Sequence, residues 1–308
     1  MPYGKNEPRD KTVRRRLSDG TVKTYTYARR PAANVWTVGK VIVAYKRSPA
    51  FTKLAPGTRR QYDGLLLLLE PLADVPIADV KRRHVRAIRD ELADTPGKAN
   101  NFVRTARALM AFALEDDLID FNPLLRMKAL PGGEHQFWED HHVAALDALP
   151  ERFRRAAVLA LYTGQRASDT VRMTWTDYDG EGVRVVQEKT GARLWIPCHS
   201  ALRAELSAWP REAVTMLTTL DGRPWTSAAS FCSSFSLAVR DVPALAGCVY
   251  HGLRKTAAAR LAEAGCSTHE IMAITGHASL AMVQHYTKGA NQKHRARAAI
   301  VRLERKGT

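Results

Sequence analysis

Apolar and polar positions divide this chain into two mainly helical stretches with a short punctuated segment between them. From Trp36 to about Leu125 apolar residues recur every three to four positions, the period of a helix with one buried face. The pattern predicts four helices, at 37–47, 56–69, 79–93 and 98–117. The connections 48–55, 70–78 and 94–97 all contain Pro, and the last ends at Gly97, so each interrupts the helical period. In the fourth helix Phe102, Ala106, Leu109 and Ala113 form the core face, whereas Lys98, Asn101, Arg104 and Arg107 form a polar, partly basic side. Residues 123–133 (PLLRMKALPGG) carry Pro near both ends and close on Gly-Gly, which predicts an interdomain linker.

The second stretch begins near residue 134. Helices are expected at 138–148, at 152–162 with Phe153, Ala156, Ala157, Ala160 and Leu161 on one face, and at 167–173. Gly164 is placed to stop the second of these. Two strand-like runs, 183–187 and 193–196, are joined through Glu188-Lys189-Thr190-Gly191, a hairpin with Lys189 at its tip. Helices at 200–208 and 227–239 lead into His251–Tyr286. There His251 and Arg254, three apart, project from neighbouring positions beside an apolar stripe of Leu253, Ala257, Leu261 and Ala264. Gly265 ends that helix, Gly276 ends a short one at 270–275 and leaves His277 at a turn, and Ser279 opens a third that carries Tyr286. Beyond it, residues 288–306 hold seven basic residues and one acid, with Ala296, Ala299, Ile300 and Leu303 at helical spacing.

Ahead of both stretches, residues 1–31 carry nine Lys/Arg against three acids. Within them Val22, Thr24 and Thr26 alternate with Lys23, Tyr25 and Tyr27 after Asp19-Gly20, the signature of a strand following a tight hairpin turn. A lone ribbon is marginal in water, so it is expected to pack on the rest of the protein or on DNA. The expected order is a basic segment at 1–35 with this hairpin, a helical domain at 36–122, the linker at 123–133, and a second domain at 134–308 with a basic helical tail. The fold class is mainly α with a small antiparallel β-sheet.

Composition narrows what such a chain can bind. Its 308 residues suffice for two domains with a core each. The 47 Lys+Arg outnumber 31 Asp+Glu, for a formal net charge of +16, which implies a polyanionic partner, nucleic acid first. A membrane partner is disfavoured, since no apolar run approaches the roughly 18 residues a spanning helix needs; LLLLLEPL at 65–72 is too short. The charged first residues lack an apolar signal core, so the expected location is cytoplasmic. Four cysteines without C-x-x-C spacing argue against a disulfide framework or structural zinc. Glu139-Asp140-His141-His142 fits no zinc spacing and is expected to open a helix. No metal or other cofactor is called for.

The remaining polar residues suit phosphodiester chemistry, which needs a nucleophile, cations around the non-bridging oxygens and an acid for the leaving oxygen. Tyr286 can be the nucleophile, Arg166 and Arg254 the planar cationic clamp, Lys189 the acid, and His251 and His277 can donate to phosphate or take a proton. Tyr162-Thr163-Gly164-Gln165-Arg166-Ala167-Ser168-Asp169, Glu188-Lys189-Thr190-Gly191, His251-Gly252-Leu253-Arg254-Lys255-Thr256, and Gly276-His277 followed by Tyr286 resemble, in order, the signature boxes of the tyrosine recombinases, most closely the phage-integrase branch. One such box is weak; four in order within a strongly basic chain are not.

The resemblance implies an all-helical core-binding (SAM-like) domain and a mixed α+β catalytic domain. It makes Arg166 and Arg254 the phosphate clamp, Lys189 the general acid, His251 and His277 the two box histidines, and Tyr286 the nucleophile of a 3′-phosphotyrosyl link, with neither ATP nor metal. It implies attachment or crossover sites on double-stranded DNA, a homo-tetramer on synapsed DNA with a free monomer, and a place for host DNA-bending or directionality factors. Lys98, Asn101, Arg104, Arg126, Lys128 and Lys255 are the expected DNA contacts. Two positions depart from the family pattern. Gln165 fills a variable, more often apolar slot and is expected not to touch the chemistry; Asp169 stands where Glu is more usual and shortens the buttress of the site. A type IB-like topoisomerase and a catalytically inactive DNA-binding or excision accessory protein stay open as alternatives.

Overall fold

The computed structural model describes residues 11–16, 21–27, 35–133 and 136–287, with Ala296 and residues 300–304 of the tail. The chain divides into two compact units, Met1–Gly133 and Glu134–Thr308. Among the described residues no helix is long and apolar enough to cross a membrane.

In the first unit, β1 (Lys11–Arg16) pairs antiparallel with β2 (Val22–Tyr27), Lys11 opposite Tyr27 and Arg16 opposite Val22. The Asp19-Gly20 turn lies outside the described residues. The helices are α1 (Val38–Arg47), α2 (Pro49–Thr52), α3 (Pro56–Leu66), α4 (Arg82–Asp90) and α5 (Pro96–Glu115). The short α2 occupies an expected connection: Pro49 at its first position needs no hydrogen-bond partner, and Phe51 is buried edge-on against Tyr45, ring centroids 5.4 Å apart. The expected 56–69 helix is α-helical only to Leu66. It then tightens into a 3-10 turn over Leu67–Leu72 that contains Pro71, a residue unable to donate a backbone hydrogen bond. The expected 79–93 helix is likewise shorter, preceded by a 3-10 turn at Ile77–Asp79.

Helix α5 anchors this unit. Phe102, Ala106, Leu109 and Ala113 are buried along it as its period requires, together with Ala99, Val103 and Met110. Full burial of Phe102 and Leu109 contributes about 1.5–3 kcal/mol each. The opposite side carries Lys98 and Arg104 in the open, with Arg104 Nη1 donating to Asn101 Oδ1 at 2.8 Å. Arg107, grouped with them by sequence, faces inward instead: it donates to the carbonyls of Leu124 and Met127. The expected linker is therefore not a free tether over its first half. Leu124 and Met127 are buried in this core, Asn100 exchanges two hydrogen bonds with the backbone of Leu130, and Arg82 and Arg89 hold the carbonyls of Pro123 and Lys128. Arg126 and Lys128 stay exposed.

The second unit contains α6 (Asp140–Ala144), α7 (Glu151–Thr163), α8 (Ala167–Thr170), β3 (Gly182–Val186), β4 (Arg193–Pro197), α9 (Ser200–Ala208), α10 (Ala228–Arg240), α11 (Tyr250–Glu263), α12 (Thr268–Thr275) and α13 (Leu280–Thr287). Two of these run shorter than their sequence period predicts. The 138–148 segment becomes α6 and a 3-10 turn, and 167–173 keeps only one turn. The Glu139 N–H donates to His142 Nδ1 at 3.0 Å, so this acid–histidine run opens a helix. Strands β3 and β4 form an antiparallel pair, Gly182 opposite Pro197 and Val186 opposite Arg193.

The long core of this unit gathers Phe153, Phe231, Phe235, Leu253 and Tyr250 between α7, α10 and α11. Edge-on ring contacts at 4.9–5.0 Å seat Tyr250 between Phe231 and Phe235, and its hydroxyl donates to the Ala156 carbonyl at 2.9 Å. Burial raises its pKa well above the ordinary tyrosine range, so it stays a neutral donor that fixes the start of α11 against α7. A second cluster, Ala258, Ala262, Ile271 and Val283, joins α11, α12 and α13. In the tail Ile300, Val301 and Leu303 are exposed helical residues; Ala299 lies outside the described residues.

Candidate active site

The Thr163-Gly164-Gln165-Arg166 run leaves α7 through a left-handed turn. Gly164 takes φ +66° with its N–H bonded to Ala160 O, a conformation glycine adopts without steric cost. The turn aims the Gly164 carbonyl at α11, where Arg254 Nη1 donates to it at 2.7 Å. The same nitrogen donates to the Thr275 carbonyl at 2.6 Å. Thr275 is the last residue of α12, whose terminal carbonyls lack helical partners. Arg254, 1% exposed, is thus held by two backbone oxygens, with its positive charge at the negative end of a helix.

Arg166 sits at the start of α8. Its Nη1 donates to Gln187 Oε1 at 3.0 Å and lies 3.9 Å from Asp169 Oδ2. Asp169 is buried and uses its other oxygen to accept the Glu188 N–H at 2.9 Å. The short carboxylate therefore serves the base of the hairpin by a hydrogen bond and Arg166 only at longer range. Lys189 follows on the exposed turn between β3 and β4.

His277 comes next after the left-handed Gly276 (φ +65°) and is 3% exposed. Its Nδ1 lies 2.6 Å from Thr275 Oγ1, and that hydroxyl donates its one proton to the Ile271 carbonyl. Thr275 Oγ1 must then accept, so Nδ1 carries the hydrogen and Nε2 the lone pair. Burial first, then the charges of Arg254, Arg166 and His251, hold the imidazole pKa down to about 3. The ring is neutral at physiological pH, with Nε2 as a proton acceptor. His251 stands half-buried in the first turn of α11. The backbone of Tyr286 lies in α13, three residues past the buried Val283; its side chain lies outside the described residues.

The depressed His277 pKa has a thermodynamic consequence. Below about pH 6.5 the unfolded chain binds a proton at this residue that the folded protein refuses until about pH 3. Its contribution to stability is complete above pH 6.5 and is lost as pH falls toward 3. Between pH 7 and 5 the wild type is expected to lose about 2 kcal/mol more stability than His277→Asn, which cannot titrate. Urea denaturation at the two pH values checks this; parallel losses in both proteins would refute it.

Arg166, Arg254 and His277, separated by up to 111 positions, are brought together around the end of α12, within electrostatic reach of His251. Lys255 requires a correction. Expected to contact DNA, it is 5% exposed with its Nζ 5.3 Å from the Phe137 ring centroid; one residue past Arg254, it turns to a different face of α11. The rest of that box is structural. Thr256 Oγ1 bonds both backbone groups of Trp138, and a Cβ at Gly252 would run into the Gln136 carbonyl and the Trp138 ring.

Sequence reasoning missed the residues that hold the site together. Gln165, expected to stay clear of the chemistry, is fully buried: its amide donates to the Thr163 and Ile274 carbonyls and accepts from Gln187 Nε2 at 2.7 Å. Gln187 Nε2 also donates to Thr275 O at 2.9 Å. A polar residue in a slot that is more often apolar was the available signal for Gln165. Gln187 had none, being one polar residue at a strand end.

With this geometry in view, the chain is a member of the Phage integrase family, which it matches over residues 139–293. Among curated relatives, the integrase of Escherichia phage HK022 is 29% identical over 133 residues, covering 41% of this chain and 37% of that protein. The prophage integrase IntE of Escherichia coli (strain K12) is 41% identical over 58 residues, 19% of this chain and 16% of that one. The alignments thus span well under half the length of either relative. Among solved structures, a lambda integrase dimer bound to a COC′ core site superposes with TM-score 0.70 at 21% identity, over 83% of this chain and 97% of that chain. The Tn1549 transposon integrase in complex with transposon right end DNA gives 0.72 at 19%, over 87% and 100%. A lambda integrase tetramer bound to a Holliday junction gives 0.71 at 21%, over 85% and 80%. At these identities the likeness is one of fold.

Proposed function

We propose that this protein is a site-specific DNA recombinase that cleaves and rejoins strands through a 3′-phosphotyrosyl intermediate. The observation that carries the reading is the convergence of Arg166, Arg254 and a neutral His277 on the end of α12 beside the Lys189 hairpin. Tyr286 attacks the phosphorus and forms the Tyr–O–P bond as the bond to the 5′ oxygen breaks. Lys189 delivers a proton to that oxygen, and Arg166 and Arg254 carry the charge of the non-bridging oxygens, with His251 donating alongside. A phenol of pKa about 10 needs an acceptor at neutral pH, and His277 Nε2 supplies a lone pair. A 5′ hydroxyl from a second duplex then reverses the step, so the phosphodiester energy is kept and neither ATP nor a metal is required.

DNA contact is assigned to Lys98, Asn101 and Arg104 on the open side of α5 and to Arg126 and Lys128 beyond it, all in a chain of net charge +16. The protein works in the cytoplasm, with host DNA-bending or directionality factors able to join. Assembly into a homo-tetramer on synapsed DNA is supported by the exposed Ile300, Val301 and Leu303 of the tail, an apolar surface suited to a neighbouring subunit. Deleting the chain from Gln292 is expected to leave single-site binding intact and to lower recombination between two sites at least tenfold. Gel shift and a two-plasmid assay check this; normal tetramers of the truncated chain would refute it. The function itself is tested by trapping the covalent complex on genomic DNA and sequencing the attached strands. A protein that binds DNA but never forms an adduct would overturn the reading, and relaxation of supercoils without strand exchange would redirect it to a topoisomerase.

A further inference from the structure

Gln187 makes every hydrogen bond its carboxamide can make. Oε1 accepts from Arg166 Nη1 at 3.0 Å and from Thr190 Oγ1 at 2.8 Å; Nε2 donates to Gln165 Oε1 at 2.7 Å and to Thr275 O at 2.9 Å. Its acceptor Thr275 O is the carbonyl that also holds Arg254, and its donor Thr190 adjoins Lys189 on the hairpin turn. One buried amide therefore meets the first arginine directly, the second through a shared oxygen, and the lysine through the next residue. The backbone makes room for it: a Cβ at Gly276 would overlap the Gln187 amide. Gly276 is thus required for its left-handed φ and for the space it leaves, and His277 follows from the same turn.

We infer that Gln187 is a positioning residue that ties the Lys189 hairpin to the arginine pair, so that the leaving-group acid and the phosphate clamp are placed together. Two limbs of this tie can be separated. Thr190→Val cuts the limb to the hairpin at an exposed turn, where substitution spares the core. Gln187→Met cuts both limbs and keeps the chain length. The inference rests on the proposed strand-cleaving function, and the substrate distinguishes the failure of one from the failure of the other.

The test is single-turnover cleavage of a nicked duplex whose scissile 5′ atom is oxygen or sulfur. A thiolate, with a conjugate-acid pKa near 8.5, departs without a proton donor, whereas an alkoxide does not. Thr190→Val is expected to slow the oxygen substrate about tenfold and the sulfur substrate by no more than about twofold. Gln187→Met should slow the oxygen substrate on the order of 100-fold, as misplacement of both groups implies, with partial recovery on sulfur. Lys189→Ala, recovered by sulfur, is the reference. Equal slowing of both substrates by Thr190→Val, or none by either variant, overturns the inference. If Gln187→Met does not fold, Thr190→Val alone decides. A wild type that forms no adduct on either substrate defeats the proposed function instead.

Discussion

Tyr286→Phe is expected to bind DNA with unchanged affinity and to form no covalent adduct. The substitution removes one oxygen and keeps the ring. Helix α13 is seated on α11 and α12 through Val283, Ala258, Ala262 and Ile271, so removal of the hydroxyl leaves that docking intact. The proposed DNA contacts lie elsewhere, on α5 and the segment after it, and affinity depends chiefly on phosphate neutralisation. In the proposed chemistry the phenolic oxygen is the nucleophile and has no substitute, so the loss is expected to be complete rather than graded. A nicked duplex that releases its short 5′ strand traps the wild-type adduct as a slow band on a denaturing gel. An undiminished band in the Phe variant would move the nucleophile to another residue.

Arg254→Ala is the second large effect, and it touches both stability and rate. The guanidinium is buried and donates to the Gly164 and Thr275 carbonyls. Its removal leaves Gly164 O without this donor and opens a side-chain-sized void, at a cost on the order of 2–4 kcal/mol. Removing one charged donor from a developing phosphorane is expected to slow cleavage about 100- to 1,000-fold. Arg254→Lys separates the two consequences. An ammonium keeps the charge at the end of α12 but lacks the planar guanidinium, whose Nη1 meets both carbonyls and whose remaining donors are proposed to clamp phosphate, so stability is expected to return in part while the rate stays low. Thermal unfolding beside single-turnover cleavage measures both; a Lys variant with wild-type rate would remove Arg254 from the clamp.

Much of this site is legible along the chain, and what is not legible shares one character. Gly164 and Gly276 announce helix ends because a left-handed residue favours glycine, and the structure places each at φ near +65°. The polar residues after them, Arg166 and His277, are thereby marked as emerging at turns. Lys255 and Arg107 show the opposite. Both are basic residues beside site or surface candidates, and both turn inward, one over an aromatic ring and the other onto backbone carbonyls. Charge along a sequence does not report which way a side chain leaves its helix when the neighbouring segment offers acceptors.

By itself the sequence determined the helical periods, the hairpin runs, the glycine stops and the four boxes in order, since each is a property of adjacent residues and local backbone sterics. Only the tertiary structure decided that Gln165 and Gln187 lie amide to amide beneath the arginines, that Thr275 sets the tautomer of His277, and that Leu124 and Met127 of the expected linker join the first unit's core. The physical reason is the demand of buried polar groups for partners. The carbonyls at the end of α12 and the amides of the hairpin must be satisfied by whatever side chains the fold brings within about 3 Å, and no local pattern names those side chains in advance.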